Sequence, residues 1–261
     1  MVANGQRVAL ITGGTSGIGL AVAKKLASQN LKVFVCSRKD ESVQSTVAGL
    51  RESGYDAAGV VADIRRQEDV KRLVGSAVEQ YGRVDVLVNN AGRSGGGVTA
   101  EVTDEVWYDV IDTNLNSVFL MTREVLNYGK LVQNGWGRII NIASTGGKQG
   151  VIFGAPYSAS KHAVVGFTKA LGLELAKSGV TVNAVCPGYV ETPLAERVRQ
   201  GYASYYEVSE DKILERFQAK IPLGRYSTPE EVAGLVGYLA TDTAASITAQ
   251  ALNVCGGLGN Y

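Results

Sequence analysis

The chain has 261 residues, with 26 Lys or Arg against 25 Asp or Glu, so its formal net charge is +1. This balance leaves no basic surplus to coat a nucleic acid, and a hydrophobic content of 45% excludes disorder and suits one large α/β domain. Its apolar runs are far shorter than the ~18 residues of a membrane span, and we expect no secretory signal at the N-terminus.

Short apolar runs alternate with amphipathic stretches along the whole chain. The runs predict seven strands, at residues 8–11, 33–36, 57–61, 84–88, 138–142, 180–185 and 251–254. The stretches between them predict helices after Gly19, over about 41–53, 67–81, 104–131 and 157–177, and from Pro229 onward. Continuous apolar strands are buried on both faces, which indicates a doubly wound, Rossmann-like α/β fold: a seven-stranded parallel sheet with helices on both faces, in a single domain of residues 1–261.

One segment, at about residues 191–227, breaks this alternation. It contains Tyr202, Tyr205 and Tyr206, with Pro193 and Pro222 near its ends. We interpret it as a helical lid over the site, with the tyrosines closing over a long, flat substrate. The alternative is that the tyrosines anchor the lid to the body of the protein or to another subunit.

A glycine-rich turn, Thr12-Gly13-x-x-x-Gly17-x-Gly19, joins the first predicted strand to the first helix. Glycines at this place allow the tight turn, the close approach of a pyrophosphate and the packing of helix on strand, and the helix N-terminus offers N–H groups to the phosphates. The turn therefore predicts a dinucleotide site, although a tight connection without a ligand remains possible on this motif alone.

The end of the second strand indicates which dinucleotide is bound. The sequence there lacks an acid for a free ribose 2′-hydroxyl and has Arg38, whose planar fork suits a 2′-phosphate. This predicts NADP(H), unless Arg38 is a solvated surface residue. Asp63, after the third strand, could accept from the adenine amino group or cap the next helix. Asn89 and Asn90 follow the fourth strand, where they can tie strand ends together beside the cofactor.

The strongest chemical motif is the pair Tyr157 and Lys161, which lie four residues apart on one helix face. A nearby cation lowers the pKa of a phenol, so we expect Tyr157 to act as a general acid near neutral pH. Ser144 directly follows the fifth strand, where its hydroxyl could bond the same substrate oxygen. Asn114 interrupts the predicted 104–131 helix, where a polar side chain and a kink can hold a water.

The cysteines and the single histidine limit the other chemistry. Three cysteines, an odd count without a Cys-x-x-Cys pair, predict free buried thiols in a reducing cytoplasm: Cys36, Cys186 and Cys255. One histidine, His162, cannot form a zinc site of paired histidines or a Ser-His-Asp triad, so we expect no metal. Because His162 follows Lys161, it lies on another helix face, and we interpret it as structural.

Over its full length the chain resembles the single-domain short-chain dehydrogenases/reductases. The motifs occur in order, from Thr12-Gly13 through Asn89-Asn90-Ala91-Gly92, Ser144 and Tyr157/Lys161 to Pro187-Gly188. The family's catalytic set then corresponds to Asn114, Ser144, Tyr157 and Lys161. The resemblance also implies cofactor contacts at Thr12, Gly13, Thr15, Ser16, Gly17, Ile18, Gly19, Arg38, Asp63, Ile64, Asn89, Ala91, Gly92, Tyr157, Lys161, Pro187, Gly188, Val190 and Thr192.

Residues 141–151, 184–193 and 250–261 are similar to the ketoreductases of aromatic (type II) polyketide synthases. Those enzymes use NADPH to reduce one carbonyl of a carrier-protein-bound poly-β-ketone, usually at the ninth carbon. Where that subfamily often has Pro-Gly-Gly beside the substrate cleft, this chain has Ser94-Gly95-Gly96. The implied substrate contacts are Ser94, Gly95, Gly96, Thr145, Gln149, Val151, Tyr189, Leu194 and Tyr202.

The same resemblance implies partners for the protein. Arg38, Arg65 and Arg93 correspond to a basic patch for the phosphate of an acyl carrier protein's phosphopantetheine arm, and the assembly is expected to be a homotetramer. One alternative is a 3-oxoacyl-carrier-protein reductase, or another family member acting on a fatty acyl, steroid or sugar carbonyl. A second is a dinucleotide-binding regulator without turnover, which the intact catalytic set argues against.

Overall fold

The structure, a computed structural model, describes residues 5–261 and contains one parallel sheet. The order of its strands is β3-β2-β1-β4-β5-β6-β7, with every neighbouring pair parallel. The strands are β1 (Val8–Thr12), β2 (Lys32–Ser37), β3 (Ala57–Val61), β4 (Val86–Asn89), β5 (Gly137–Ile142), β6 (Val180–Pro187) and β7 (Ala251–Val254). The predicted seven-stranded, doubly wound sheet is confirmed.

Helices cover both faces of the sheet. They are α1 (Gly17–Ser28), α2 (Asp40–Glu52), α3 (Gln67–Tyr81), α4 (Asp104–Ile111), α5 (Ser117–Tyr128), α6 (Ala155–Glu174), α7 (Pro193–Tyr206), α8 (Glu210–Gln218) and α9 (Pro229–Leu239). Successive residues of β1 point to opposite layers: Ala9 and Ile11 pack in the core with α1 and α9, and Leu10 packs in the core with α3 and α5. Burial on both faces explains why the strands are continuously apolar.

The predicted helical stretch over 104–131 is present over residues 104–128, and it is interrupted at Asn114 as expected. After α4 the chain makes a π-helical turn over Asp112–Asn116, and α5 begins at Ser117. A π turn adds a residue to one turn and turns the side chains that follow, and such turns are frequent at functional sites. Here the turn contains Asn114, which is 1% exposed. The predicted interruption at Asn114 is therefore present, in the form of a π-helical turn.

The 191–227 segment forms two helices, α7 and α8, joined through Glu207 in the left-handed conformation. Within the described residues no helix is long and apolar enough to cross a membrane. The three cysteines Cys36, Cys186 and Cys255 are buried and free, as predicted. His162 is exposed on α6, and its Nδ1 lies 2.8 Å from the Ser158 carbonyl, in keeping with a structural role.

Candidate active site

The glycine-rich turn after β1 has no space for side chains. Gly13 and Gly17 have φ values of +63° and +49°, in the left-handed region that favours glycine. At Gly19 a Cβ would lie 2.2 Å from the Gly13 carbonyl oxygen and 2.4 Å from Asn90 Nδ2. The turn therefore requires glycine at the predicted positions, and it brings backbone close to the start of α1.

The N-terminus of α1 keeps its backbone N–H groups available. Ser16, the N-cap, has an extended backbone and its side chain makes no capping hydrogen bond, and the first turn has no acidic residue. Uncapped N–H groups with the positive end of the helix dipole bind anions. The turn with its neighbours Thr15 and Ile18 therefore fits the pyrophosphate of a dinucleotide.

Hydrogen bonds join the ends of β1 and β4 beneath this turn. The Thr12 hydroxyl accepts from the N–H groups of Asn90 (3.0 Å) and Ala91 (3.1 Å). Asn90 Nδ2 donates to the carbonyls of Thr12 (2.9 Å) and Gly13 (3.1 Å). Asn89 Nδ2 donates to side chains on α5 and β5. The expectation that the asparagine pair ties strand ends together is met, and it fixes the turn relative to the sheet.

A second group of predicted cofactor residues lies beyond β6. Gly188 packs closely enough on the residue after β7 that a Cβ there would lie 2.9 Å from Cys255 Cβ. Thr192 N-caps α7 by accepting from the Ala195 N–H at 3.2 Å, and its Cγ2 would be 3.2 Å from a Cβ on Gly17. The start of α7 therefore meets the nucleotide turn. Pro187 ends β6, Val190 is buried, and Ile64 is a core residue beside β3.

Arg38 and Asp63 are placed at the carboxyl ends of β2 and β3. Arg38 is exposed and makes no hydrogen bond or ion pair with residues 5–261. The Asp63 carboxylate accepts from Arg65 Nε at 2.9 Å and Nη2 at 2.5 Å, and this bond holds its pKa below the usual value. The N-cap of α3 is Arg66, so Asp63 does not cap that helix.

The predicted basic patch contains as many acids as bases. Arg65 Nη1 lies 2.5 Å from Asp109 Oδ1, and Arg93 pairs with the other oxygen of the same carboxylate. Asp63 pairs with Arg65, and Asp112 also interacts with it electrostatically. A phosphate would meet oriented guanidinium groups here, but without a large excess of positive charge.

Tyr157, Ser144 and Lys161 meet at the carboxyl end of β5. A Cβ on Gly146 would lie 3.2 Å from Tyr157 Cε1 and 3.3 Å from Ser144 Oγ, so the phenol and the hydroxyl flank the same glycine. Ser144 Oγ accepts from the Gly146 N–H at 3.0 Å. Lys161 Nζ lies 5.9 Å from the centre of the Tyr157 ring and donates to the Ile142 carbonyl at 2.8 Å. The spacing of four residues on α6 thus brings the predicted groups together.

The expected lowering of the Tyr157 pKa is not found in this state of the protein. Burial raises the pKa of Tyr157, and a hydrogen bond with Ser144 lowers it by less. Burial also lowers the pKa of Lys161, to about 8. The reason is that desolvation disfavours the charged form of both side chains, and for Tyr157 it outweighs the hydrogen bond with Ser144. At neutral pH the phenol therefore carries its proton.

The side chain of Asn114 makes three hydrogen bonds to other protein groups. Its Oδ1 accepts from the Arg93 N–H at 2.8 Å, and its Nδ2 donates to the Arg93 carbonyl (3.0 Å) and to Ser160 Oγ (3.1 Å). Ser160 in turn donates to the Tyr157 carbonyl at 2.7 Å. A Cβ on Gly92 would lie 3.3 Å from Asn114 Oδ1 and 3.6 Å from Lys161 Nζ. Asn114 therefore lies beside the lysine, with both of its side-chain donors used.

The predicted substrate residues lie in three segments: residues 94–96, residues 145–151, and residues 189–202. Ser94 is half-buried, and Gly95 and Gly96 pack so tightly that a Cβ would lie 2.2 Å from Val110 Cγ2 and 1.9 Å from the Phe153 carbonyl oxygen, respectively. The other residues are Thr145, which is buried, Gln149 and Val151, which are exposed, Leu194 in the first turn of α7, and Tyr189 after β6. Their contacts with a substrate remain a prediction.

The tyrosines of the 191–227 segment contact the loop before α6. The Tyr202 hydroxyl donates to the Ile152 carbonyl at 2.7 Å, and the Tyr205 ring lies 5.0 Å from the Phe153 ring. Tyr202 also stacks on Tyr206 at 6.2 Å. These contacts agree with the alternative in which the tyrosines anchor the segment to the body of the protein.

Four residues shape this site although no sequence motif marks them. Ser160 has no signal beyond its place one residue before Lys161. Phe153 has a φ of +58°, unusual for a bulky side chain, which no sequence pattern indicated. Lys148 and Tyr261 bond one another across more than a hundred residues. Contacts of this range depend on the assembled sheet, so periodicity cannot show them.

Comparison with known proteins identifies the family of this chain. Residues 7–203 match the model of the short chain dehydrogenase family. The chain belongs to the short-chain dehydrogenases/reductases. Over 261 residues, 100% of both chains, it is 68% identical to a Streptomyces virginiae protein named as a ketoacyl reductase of the monensin polyketide synthase. It is 61% identical to a Streptomyces violaceoruber protein named as a granaticin polyketide synthase ketoacyl reductase, over 97% of this chain and 93% of the relative.

A solved structure is also similar to this chain. It is an actinorhodin polyketide ketoreductase variant crystallised with NADPH, and it matches with a TM-score of 0.97 and 58% identity over 100% of both chains. These comparisons confirm the predicted family, the oxidoreductase class and NADP(H) as the cofactor.

Proposed function

We propose that the protein is an NADPH-dependent ketoreductase that reduces a ketone of a carrier-protein-bound aromatic polyketide to a secondary alcohol, at the C9 carbonyl. The observation that carries this proposal is that the Tyr157 ring and the Ser144 hydroxyl flank Gly146, with Lys161 Nζ 5.9 Å from the centre of that ring. Relatives with 68% and 61% identity carry polyketide synthase ketoacyl reductase names, which supports the polyketide as the substrate class.

The cofactor would lie along the carboxyl ends of the strands. The α1 N-terminus would hold its pyrophosphate, Arg38 its 2′-phosphate, and Thr192 would cover the nucleotide turn. When bound there, NADPH supplies the hydride that reduces the carbonyl carbon. Arg38 suits this role because it is exposed and has no protein partner within residues 5–261.

Tyr157 would donate the proton that completes the reduction. The hydroxyls of Tyr157 and Ser144 would both bond the carbonyl oxygen, and they would stabilise the negative charge that develops on it. Because burial raises the pKa of Tyr157, the phenol is protonated at neutral pH and can donate this proton to the carbonyl oxygen. Ser144 is oriented for this by the Gly146 N–H, which bonds its Oγ at 3.0 Å.

Lys161 and Asn114 would support the transfer. A protonated Lys161 beside the phenol stabilises the phenolate that remains, and it would contact the nicotinamide ribose. Asn114 would hold the water that returns a proton through Lys161, and because both Nδ2 donors are used, this water would bond another atom of the π turn or Oδ1. The bond from Asn114 to Ser160 also ties the π turn to the helix of Tyr157.

The carrier protein is the proposed partner of the arginine cluster Arg38, Arg65 and Arg93. Asp109 orients two of these guanidinium groups, which suits the recognition of one phosphate more than the attraction of a whole acidic surface. The homotetramer, the cytoplasmic location and the lid role of residues 191–227 stay predictions; light scattering of the purified protein tests the first of these.

The experiment that tests the proposed function combines the enzyme with a type II polyketide synthase set that lacks its own reductase. We expect an alcohol at C9 of the product, found by mass spectrometry and NMR, and its absence when Tyr157→Phe replaces the wild type. Reduction of simple 3-oxoacyl carriers, with no change in the polyketide product, would contradict the substrate assignment.

A further inference from the structure

Lys148 joins the catalytic turn to β7 and to Tyr261. Its Nζ donates to the Ala251 carbonyl and to Asn253 Oδ1, both at 2.9 Å, and to the Tyr261 carbonyl at 3.3 Å. It also lies 5.2 Å from the centre of the Tyr261 ring. One half-buried ammonium therefore holds β7 and the residues that follow it, and its three N–H donors each have an acceptor.

The segment after β7 folds back onto the turn that contains Ser144. The Tyr261 hydroxyl donates to the Thr145 carbonyl at 3.4 Å, and Asn253 Nδ2 donates to the Gly259 carbonyl at 3.0 Å. The packing is close, because a Cβ on Gly259 would lie 2.5 Å from the Tyr261 hydroxyl oxygen. The residues 255–261 thus form a cover over the Ser144–Lys148 turn.

The covered turn fixes the catalytic serine. Its carbonyl at Thr145 accepts from the N–H groups of Lys148 (3.0 Å) and Gln149 (3.1 Å) as well as from Tyr261. Within the turn the Gly146 N–H holds Ser144 Oγ, and Gly146 itself lies between that hydroxyl and the Tyr157 ring. A small displacement of this turn therefore moves the Ser144 hydroxyl relative to the phenol.

From these contacts we propose that Lys148 and Tyr261 are positioning residues, which hold the Ser144 hydroxyl in register with Tyr157 by clamping residues 255–261 onto the turn. The inference rests on the proposed reduction, in which both hydroxyls bond the carbonyl oxygen. Neither residue touches the reacting atoms. Misplacement of a catalytic group by about 1 Å can reduce a rate by up to about 10²-fold, so loss of the clamp acts on kcat.

The test compares Lys148→Met with Lys148→Arg and with the exposed control Lys177→Met, using a bicyclic ketone such as decalone as the substrate. Methionine keeps the length of the side chain and removes the three donors, whereas arginine keeps a charged donor. We expect Lys148→Met to lower kcat about tenfold, with KM and the dissociation constant of NADPH little changed. Lys148→Arg is expected to recover most of the rate, and Lys177→Met to behave like the wild type.

Tyr261→Phe separates the hydroxyl from the rest of the clamp and also serves if Lys148→Met does not fold. The hydroxyl lies 3.4 Å from the Thr145 oxygen, which is a long hydrogen bond, so we expect its loss to lower kcat by about two- to fivefold. A folded Lys148→Met enzyme with wild-type kcat, or Tyr261→Phe with wild-type kcat where Lys148→Met is unfolded, would overturn the inference. Equal losses of kcat and NADPH affinity would also overturn it. An inactive wild type would instead contradict the proposed function on which it rests.

Discussion

The nucleotide side and the substrate side of this active site are built in different ways. On the nucleotide side the constraints lie in the backbone: Gly13 has a positive φ, and a Cβ on Gly19 would lie 2.2 Å from the Gly13 carbonyl oxygen. On the substrate side, side chains join segments that are far apart in sequence, as where Tyr202 reaches Ile152. A backbone requirement can be met by few residue types, whereas a side-chain contact can be made by many pairs.

This difference explains which predictions succeed. Glycine and asparagine positions leave a readable motif, so the turn is found from the sequence, and the structure has the glycine geometry that a nucleotide site needs. The substrate side leaves no comparable motif, so its residues were obtained only through a resemblance. We expect the two sides to respond differently to substitution: changes at the nucleotide turn alter cofactor affinity, and changes at the tyrosine contacts alter the handling of large substrates.

Tyr157 belongs to both sides of the site, because it is expected to contact the cofactor and the substrate. Of the substitutions considered, Tyr157→Phe has the largest expected effect on turnover. The change keeps the ring that packs beside Gly146 and removes the proton that would be transferred. Turnover should fall by about 10²–10⁴-fold, while the NADPH dissociation constant, measured by quenching of protein fluorescence, stays close to the wild-type value. Rapid reduction of decalone by this variant would show that the proton comes from another group.

Gly17→Val tests the backbone requirement of the nucleotide side. The residue has a φ of +49°, and its Cβ would lie 3.2 Å from Thr192 Cγ2, so valine strains the turn and fills the space beside the α1 N-terminus. We expect NADPH binding to be lost in a protein that still folds by circular dichroism. The matched control is Gly75→Val on the exposed face of α3, where nothing lies within 4 Å, and it should bind normally. Tight binding by Gly17→Val would move the nucleotide site elsewhere.

Arg38→Asp should change the choice of cofactor without removing the site. A hydrogen bond to a charged group contributes about 1.5–3 kcal/mol, so replacing it with a repulsive carboxylate should weaken NADPH binding by about 10- to 100-fold or more. NADH binding should be little affected or improved. The control Lys177→Asp makes the same charge change in the exposed turn between α6 and β6. Equal NADPH affinity in Arg38→Asp and wild type would refute the 2′-phosphate contact.

The fold was predictable because burial on both faces of a parallel sheet produces continuous apolar runs. The interruption at Asn114 was predicted, but its π-helical form was not, because the turn over Asp112–Asn116 lies within one amphipathic pattern. The direction of the Tyr157 pKa also could not be obtained from spacing. It depends on desolvation of the phenol, which outweighs the hydrogen bond with Ser144, and both exist only once β5 and α6 have packed.

The smallest expected effect is that of Tyr202→Phe on the substrate side. The change keeps the rings stacked on Tyr206 and removes the bond from the hydroxyl to the Ile152 carbonyl. If this bond holds α7 near the cleft, its loss of about 0.5–1.5 kcal/mol should raise KM for a tricyclic or carrier-bound ketone by about two- to tenfold. KM for decalone should change less, because a two-ring ketone offers less surface for contact with α7.

Tyr206→Phe is the matched control for this variant, since it removes a hydroxyl from the neighbouring ring and leaves the bond to Ile152 intact. It should leave KM unchanged for both ketones. If Tyr202→Phe raises KM more for the larger ketone than for decalone, the 191–227 segment contributes to the binding of large substrates. The same rise in KM for both ketones would instead show that the tyrosine contact supports the fold of the site, and it would remove the reason to regard α7 and α8 as a lid.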